Sequence, residues 1–479
     1  MDRLSVLDTQ FLHLEDASSP MHIASLSLFD GPAPRRDEVL GLLEARLPLM
    51  PRYRKRLRFP PLELGRPVWA DDTHFDLGYH VRQTALPAPG DDAALCTLMG
   101  RLMSQLLDRS RPLWEIWIVE GLAGARWAMI TKVHHSMVDG IGGVQLQEVM
   151  LEDLPDKAPQ KEAPPAALSE PSRLGLVLDA WQGLAKDAGA VAGRALRNLR
   201  HPKTGARALL HTAGGLTFFA RRLAAVRSGP TQGPIGGQRS FAHASVSLAD
   251  VQAVRKAFGG SVNDVVLAAI SGGYRQLFQH RHADPDHARL RSLVPVSVRG
   301  PDRKGDLHNH ISAMVCDLPL DIADPLERLR VVTARMGELK ASHMAEAGVL
   351  IIEIGELLPP MVVGPVTRFI ARAMHAVPQR ALATVTTNVP GPREPLYLLG
   401  RRLLSWYPYV PIAQGLRIGV AILSYAGELA FGVTGDRDTV PDAGVLARAI
   451  VDDIRTMVAM IDVRESGRPR AMDHPQSHG

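Results

Sequence analysis

Trp127-Ala-Met-Ile-Thr-Lys-Val133 runs directly into His134-His135-Ser136-Met137-Val138-Asp139-Gly140, and the reading of this passage decides the fold. A run of apolar residues ending at a glycine predicts a strand that delivers two histidines and an aspartate into a turn. Successive side chains of a strand point to opposite faces, so His134 and His135 cannot both face one cleft. One is then suited to react and the other to hold structure. Asp139 lies close enough to brace the turn, and Gly140 lets the backbone bend sharply. Past the turn, Ile141, Val144, Leu146, Val149 and Met150 recur along one face of a predicted helix.

Three chemistries compete for this passage. A metal site needs at least three converging ligands, and adjacent strand histidines supply one or two to any point. No HExxH or CxxC accompanies them, so no metal is expected. The second reading is a hydrogen-bonded pair closing a buried strand. In the third, one imidazole is a general base, its neutral form ready to take a proton from a hydroxyl or thiol. The local residues leave these last two open.

The surrounding chain has 479 residues, 46% of them hydrophobic, enough for a large core and two domain-sized units. Its two cysteines, Cys96 and Cys316, form no disulfide framework and point to a reducing compartment. Met1-Asp2-Arg3 opens an amphipathic segment without the features of a secretory signal, so a cytoplasmic location is expected. No stretch approaches eighteen uninterrupted apolar residues. The most apolar region, Gly348 to Met374, is broken by Glu353, Glu356, Pro359, Pro360 and Arg368 and reads as a buried helix pair around the Pro-Pro break. The net charge of +5 is arginine-dominated, but no nucleic-acid-reading module accompanies the cluster Arg52, Arg54, Lys55, Arg56 and Arg58, so no nucleic acid is expected as a partner.

Five prolines between Pro155 and Pro171 mark an exposed connector between two halves. The first half, residues 1–154, mixes strands at Ile23 to Phe29, Ile116 to Glu120 and Trp127 to Val133 with helices at Asp37 to Leu47 and Ala93 to Leu107. Residues 155–234 form the Pro-rich linker and a basic helical connector. The second half, 235–462, repeats the α/β mixture, and 463–479 read as a disordered tail. From Lys186 to Arg227 there are nine Lys or Arg residues against the single acid Asp187, interspersed with Leu209, Leu216, Phe218 and Phe219. This segment suits either a face lying on anionic lipid or a solvated connecting helix pair.

The histidine passage fits the HHxxxDG signature, and other motifs accompany it in order. They are Leu4-Ser5-Val6-Leu7-Asp8 with Phe11-Leu12, Pro20-Met21-His22, Pro51-Arg52-Tyr53-Arg54, Pro67-Val68-Trp69 and Arg111-Pro112-Leu113-Trp114-Glu115. After the signature come Val262-Asn263-Asp264, Pro295-Val296-Ser297-Val298-Arg299 and Thr387-Asn388-Val389-Pro390-Gly391-Pro392. In this order the chain resembles the bacterial wax ester synthase/diacylglycerol acyltransferase family, within the superfamily of CoA-dependent acyltransferases that includes peptide-synthetase condensation domains.

The resemblance implies two chloramphenicol-acetyltransferase-like lobes with mixed sheets, meeting along an active-site tunnel. It implies an O-acyltransferase that moves a long-chain acyl group from acyl-CoA to diacylglycerol or a long-chain alcohol, giving triacylglycerol or wax ester. Coenzyme A thioester is then a substrate, no cofactor is implied, and contact with a membrane or lipid droplet is peripheral. His135 becomes the general base, His134 orients the turn, and Asp139 and Gly140 shape it. By analogy with condensation domains, Arg54 or Arg56 pairs with Asp139. Asn263 is a candidate donor to the thioester oxygen, although Ser261-x-x-Asp264 also reads as a capping box with Asp264 in a structural role. Ser297 and Asn388 stand at strand ends where they could reach the tunnel, and Trp114 is a candidate wall residue. The alternative of another class is a non-catalytic lipid-binding or lipid-transfer member of the same fold.

Overall fold

A computed structural model describes residues 2–137, 145–154, 172, 174–183, 189, 229–297, 311–341, 360–376 and 381–466. The strand Arg126–His134 is buried along nearly its whole length, because both faces of its sheet are covered. Trp127, Met129 and Val133 enter one core, and Ala128 and Ile130 enter the other. Period-two alternation is therefore absent from its hydropathy, although its side chains do alternate between two apolar environments.

Two six-stranded mixed sheets organise the two lobes. In the first, the order is Tyr397–Leu398, Arg401–Tyr409, His22–Asp30, Arg126–His134, Trp114–Leu122 and Val81–Ala85. In the second it is Ile311–Leu318, Leu290–Ser297, Thr384–Pro390, Ile418–Tyr425, Glu428–Asp436 and Arg239–Ser247. Thr384–Pro390 lies between two parallel neighbours, and the other pairs of this sheet are antiparallel. Ile418–Tyr425 and Glu428–Asp436 are joined at Ala426-Gly427, both with positive φ, as a tight hairpin turn requires. On the second sheet lies the helix Val262–His280, buried from Asp264 to Tyr274 and packed against Ala443–Ser466 and Pro325–Ala341. Ser261 and Asp264 form its capping box: Ser261 N donates to Asp264 Oδ2 at 2.8 Å, and Asp264 N donates to Ser261 Oγ at 3.2 Å.

Residues 397–409 fall in the second half of the chain but hydrogen-bond into the first sheet, where Arg401–Tyr409 runs antiparallel to His22–Asp30. This crossover strand brings the lobes into direct contact. Pro408 presses its carbonyl onto Gly432 so closely that a Cβ there would sit 1.7 Å from the oxygen. Tyr407 stacks on His243 at 4.1 Å, and Phe241, Tyr409 and Ala430 share a core with Leu26, Ile130, Leu95 and Met99. Leu95 and Met99 belong to the helix Asp92–Met103, which fills the space between the sheets.

Several expectations change in the folded chain. The helix Pro360–Ala376 is not a buried member of a pair: Phe369 is 72% exposed. The Pro-Pro break does mark its start, because proline is tolerated in the first turn where its missing N–H would be unpaired. The helix Ala443–Ser466 continues past Asp462, where the tail was expected to begin, and 467–479 lie outside the described residues. So does the basic stretch 186–227, apart from Gly189. No helix among the described residues is long and apolar enough to cross a membrane.

The Pro408–Gly432 approach gives a direct test of the seam. Gly432→Ala must separate the crossover strand from the second sheet, and such overpacking costs about 1–3 kcal/mol or more. Urea denaturation should show a stability loss of that size, whereas Gly427→Asn, in an open turn, should be nearly neutral.

Candidate active site

The N-terminal helix Val6–Leu14 begins at Ser5, whose Oγ accepts from Asp8 N at 3.0 Å, and ends at Glu15, where the backbone turns extended. From there the chain passes Asp16 to Pro20 and enters the strand His22–Asp30, in which His22 lies directly opposite His134. Residues facing each other across an antiparallel pair share a face, so both imidazoles point to the same side of the sheet. Glu15 meets them there. Its Oε2 lies 2.8 Å from His134 Nε2 and 3.8 Å from His22 Nδ1, and it accepts from Met21 N at 3.2 Å. Oε1 accepts from Arg109 Nη2 at 3.2 Å.

This cluster is shut off from solvent: His22 and His134 are completely buried. Burial pushes the Glu15 carboxyl up, yet His134 at hydrogen-bonding distance and the Arg109 cation outweigh it and hold the pKa down at about 2. Burial, helped by Lys132, drives the His22 pKa well below its ordinary value, so that ring is neutral. Lys132 Nζ donates to the Leu102 and Gln105 carbonyls, and burial lowers its pKa to about 8. The Ser136 N–H donates to His134 Nδ1 at 3.0 Å, which makes that nitrogen an acceptor. The His134 proton therefore sits on Nε2, facing Glu15. Both nitrogens of His134 are committed to holding the bend.

His135 stands apart from this network. Its backbone N donates to Met21 O at 2.9 Å, extending the ladder by one residue, and a 3-10 turn His135–Met137 follows. The ring stacks face to face on Phe11 of the N-terminal helix, with centroids 3.9 Å apart and planes at 20°. The residue is half-buried, and Nδ1 is closed off without a hydrogen-bond partner. Burial lowers the His135 pKa to about 4, its own carbonyl opposing the shift and His134 adding to it. At neutral pH the ring is uncharged.

Asp139 and Gly140, expected to shape the turn, lie outside the described residues. Arg56 lies 3.9 Å from Asp72 and donates to the Ser110 carbonyl at 3.4 Å, while Arg54 lies over the Phe75 ring. Trp114, expected at a tunnel wall, is fully buried: its indole N–H donates to Tyr53 O at 2.8 Å and its ring stacks on His80 at 4.4 Å. These are the surroundings of a core side chain. Asn263 is half-buried at the second position of its helix, inside the capping box but not part of it. Asn388 is exposed on Thr384–Pro390, opposite Ile422 of the neighbouring strand, and Ser297 ends its strand opposite Ile311.

Glu15, His22 and Arg109 were missing from the sequence-based site. His22 sits in the quoted Pro20-Met21-His22 motif, so a signal for it existed, but nothing local joins Glu15 to His134. Among the described residues no three His, Cys, Asp or Glu side chains are grouped to hold a metal ion.

Residues 4–266 match the family model described as wax ester synthase/diacylglycerol acyltransferase catalytic domain, and 307–458 match the WS/DGAT C-terminal domain. A Mycobacterium tuberculosis protein named as a probable diacylglycerol O-acyltransferase is 38% identical over 475 residues, covering 98% of each chain. A second protein so named from that organism is 35% identical over 452 residues, covering 92% of this chain and 95% of its own. The solved wax ester synthase/diacylglycerol acyltransferase from Marinobacter aquaeolei VT8 superposes with TM-score 0.67 at 28% identity, covering 97% of this chain and all of that one. The first condensation domain of the calcium-dependent antibiotic synthetase shares the fold, with TM-score 0.54 at 16% identity over 95% of this chain and 94% of its own.

Removing the Glu15 charge tests the cluster. Glu15→Gln keeps the shape but takes the charged acceptor away from His134, the Met21 N–H and the partly exposed Arg109, and losing hydrogen bonds to a charged group costs about 1.5–3 kcal/mol. Chemical denaturation should report a loss of that order, and a variant as stable as the parent would remove Glu15 from this role.

Proposed function

The chain belongs to the wax ester synthase/diacylglycerol acyltransferase family, and on that premise we propose that it moves a long-chain acyl group from acyl-CoA directly to a lipid hydroxyl. Diacylglycerol is the principal acceptor, giving triacylglycerol, and a long-chain alcohol giving wax ester is the second. The observation that carries this reading is the division between the two imidazoles. His134 has both nitrogens engaged, whereas His135 is neutral, aligned by Phe11 and free of any such network.

In the reaction, His135 Nε2 takes the proton from the acceptor hydroxyl as that oxygen attacks the thioester carbonyl. The tetrahedral intermediate collapses, the C–S bond breaks, and the imidazolium returns the proton to the leaving sulfur. Ester and free CoA leave, and the ring is neutral again. No covalent acyl-enzyme is required. Asn263 is assigned as donor to the developing oxyanion. Ser297 and Asn388 are assigned to the walls of the substrate tunnel between the lobes. Asp139 is assigned to bracing the turn, and Arg54 or Arg56 to serving as its counter-ion. Because acceptor and product are lipids, the enzyme works in peripheral contact with a membrane or droplet surface.

With radiolabelled acyl-CoA and both acceptors side by side, the protein should form neutral lipid. His135→Ala should lower kcat by roughly 10²–10⁴-fold without unfolding, as removal of a general base does. His134→Ala should retain more turnover, and its principal effect should be on stability. Equal and complete loss in two folded variants would contradict the assignment.

The pH dependence follows from the same site. A base acts in its neutral form, and burial keeps His135 neutral down to about 4. The rate constant kcat/KM should then be level between about pH 6 and 8 and decline only in more acidic solution. A protonation step near the ordinary histidine value would show that another group carries the proton.

A further inference from the structure

The turn Pro61–Glu63 holds Leu62 at 88% exposure, and both Leu62 and Glu63 adopt left-handed backbone angles, φ 55° and 54°. Neither residue favours that region, so the fold sustains backbone strain to hold a leucine out in water. The helix over 174–183 packs on one side of this turn. A Cβ on Gly65 would lie 2.8 Å from that of Ala180, and Asp179 pairs with Arg3 at 2.7 Å. That helix buries Leu176 and Ala180 and leaves Leu174, Leu178 and Trp181 in solvent at helical spacing, at 76%, 62% and 60% exposure. The helix Pro360–Ala376 packs on the other side, Arg368 meeting Glu63 at 2.8 Å. Its outer stripe is Met361, Pro365, Phe369 and Ala373, each four residues from the last and each exposed.

We propose that this edge, the Leu62 turn with its two flanking helices, docks the enzyme on an anionic phospholipid bilayer. The inference rests on the acyltransferase reading, in which the acceptor resides in lipid. Three further observations favour lipid over a protein partner. A cavity of about 410 Å³, walled by Leu57, Phe59, Pro61 and Leu176 with Arg58 among them, opens between the turn and the 174–183 helix. An apolar slot of this kind suits an acyl tail. Arg66 and the exposed Arg372 place positive charge on the two sides of the apolar edge, as interfacial elements do. Finally, Pro360–Ala376 also packs on the helix Val6–Leu14, whose Phe11 stacks on His135, so the edge is continuous with the wall of the site.

The test is co-sedimentation of the full chain with vesicles of phosphatidylcholine and phosphatidylglycerol in equal parts, and with phosphatidylcholine alone. The variant Leu62→Ser/Leu178→Ser/Phe369→Ser should bind the mixed vesicles roughly tenfold or more weakly, because the inserted apolar area is gone. It should melt like the parent and turn over a short acyl-CoA and a short alcohol in solution unchanged, while losing rate on diacylglycerol held in vesicles. Undiminished vesicle binding by the variant, or no vesicle binding by the parent, overturns the proposal. A parent that self-associates where the variant is monomeric, without binding vesicles, assigns the edge to a second copy instead. Binding indifferent to phosphatidylglycerol overturns the role of the arginines. If the parent binds vesicles but transfers no acyl group to any acceptor, the docking edge stands and the acyltransferase reading fails.

Discussion

A carboxylate taken out of water must be compensated, and Glu15 is compensated by the groups that define the candidate site. His134 Nε2, the Met21 N–H and Arg109 converge on its two oxygens. Met21 in turn offers its carbonyl to the His135 N–H, so the acid that fixes one histidine also fixes the backbone from which the other projects. Phe11 lies one turn back on the same helix and stacks on the His135 ring. One buried charge thus ties the end of the N-terminal helix, the ends of two central strands and the histidine turn into one rigid corner. Side chains on such a corner are held as firmly as those on a regular element.

The second lobe secures that corner from outside. The buried Arg239 donates to the Ser18 carbonyl, and Gln414 Nε2 donates to Ser18 Oγ at 2.8 Å. Ser18 sits in the short link between Glu15 and His22, itself turned by Asp16, whose Oδ1 accepts from Ser18 N at 2.8 Å. Together with the crossover strand Arg401–Tyr409, which extends the sheet containing both histidines, these contacts make the two lobes interdependent. Pairing between lobes supplies backbone hydrogen bonds as well as side-chain packing, so the seam resembles a core more than a docking interface.

Much of the secondary structure was legible because it is locally determined. The strand Arg126–His134 and the helix Val262–His280 follow from apolar runs with clear stops, and the Ser261–Asp264 capping box from residue types at a fixed spacing. The separation of the two histidines onto different faces follows from strand geometry alone. Harder to read were features made by residues far apart in the chain. Glu15 is a single acid after an amphipathic helix, and Trp114 is equally suited to a wall or a core until Tyr53 and His80 are found around it. Leu62 looks like any apolar residue in a proline-rich turn, because exposure and backbone angle are properties of the folded chain.

The sequence alone determined the α/β character, the histidine turn and the family, because periodicity, turn chemistry and ordered motifs are written in neighbouring residues. Tertiary structure decided which imidazole is committed and which is available, since that depends on a carboxylate from one segment and an aromatic ring one turn before it. It also decided that a strand from the second half completes the sheet of the first. No local pattern encodes that pairing: the free energy comes from hydrogen bonds and close packing between segments that meet only when the chain has folded.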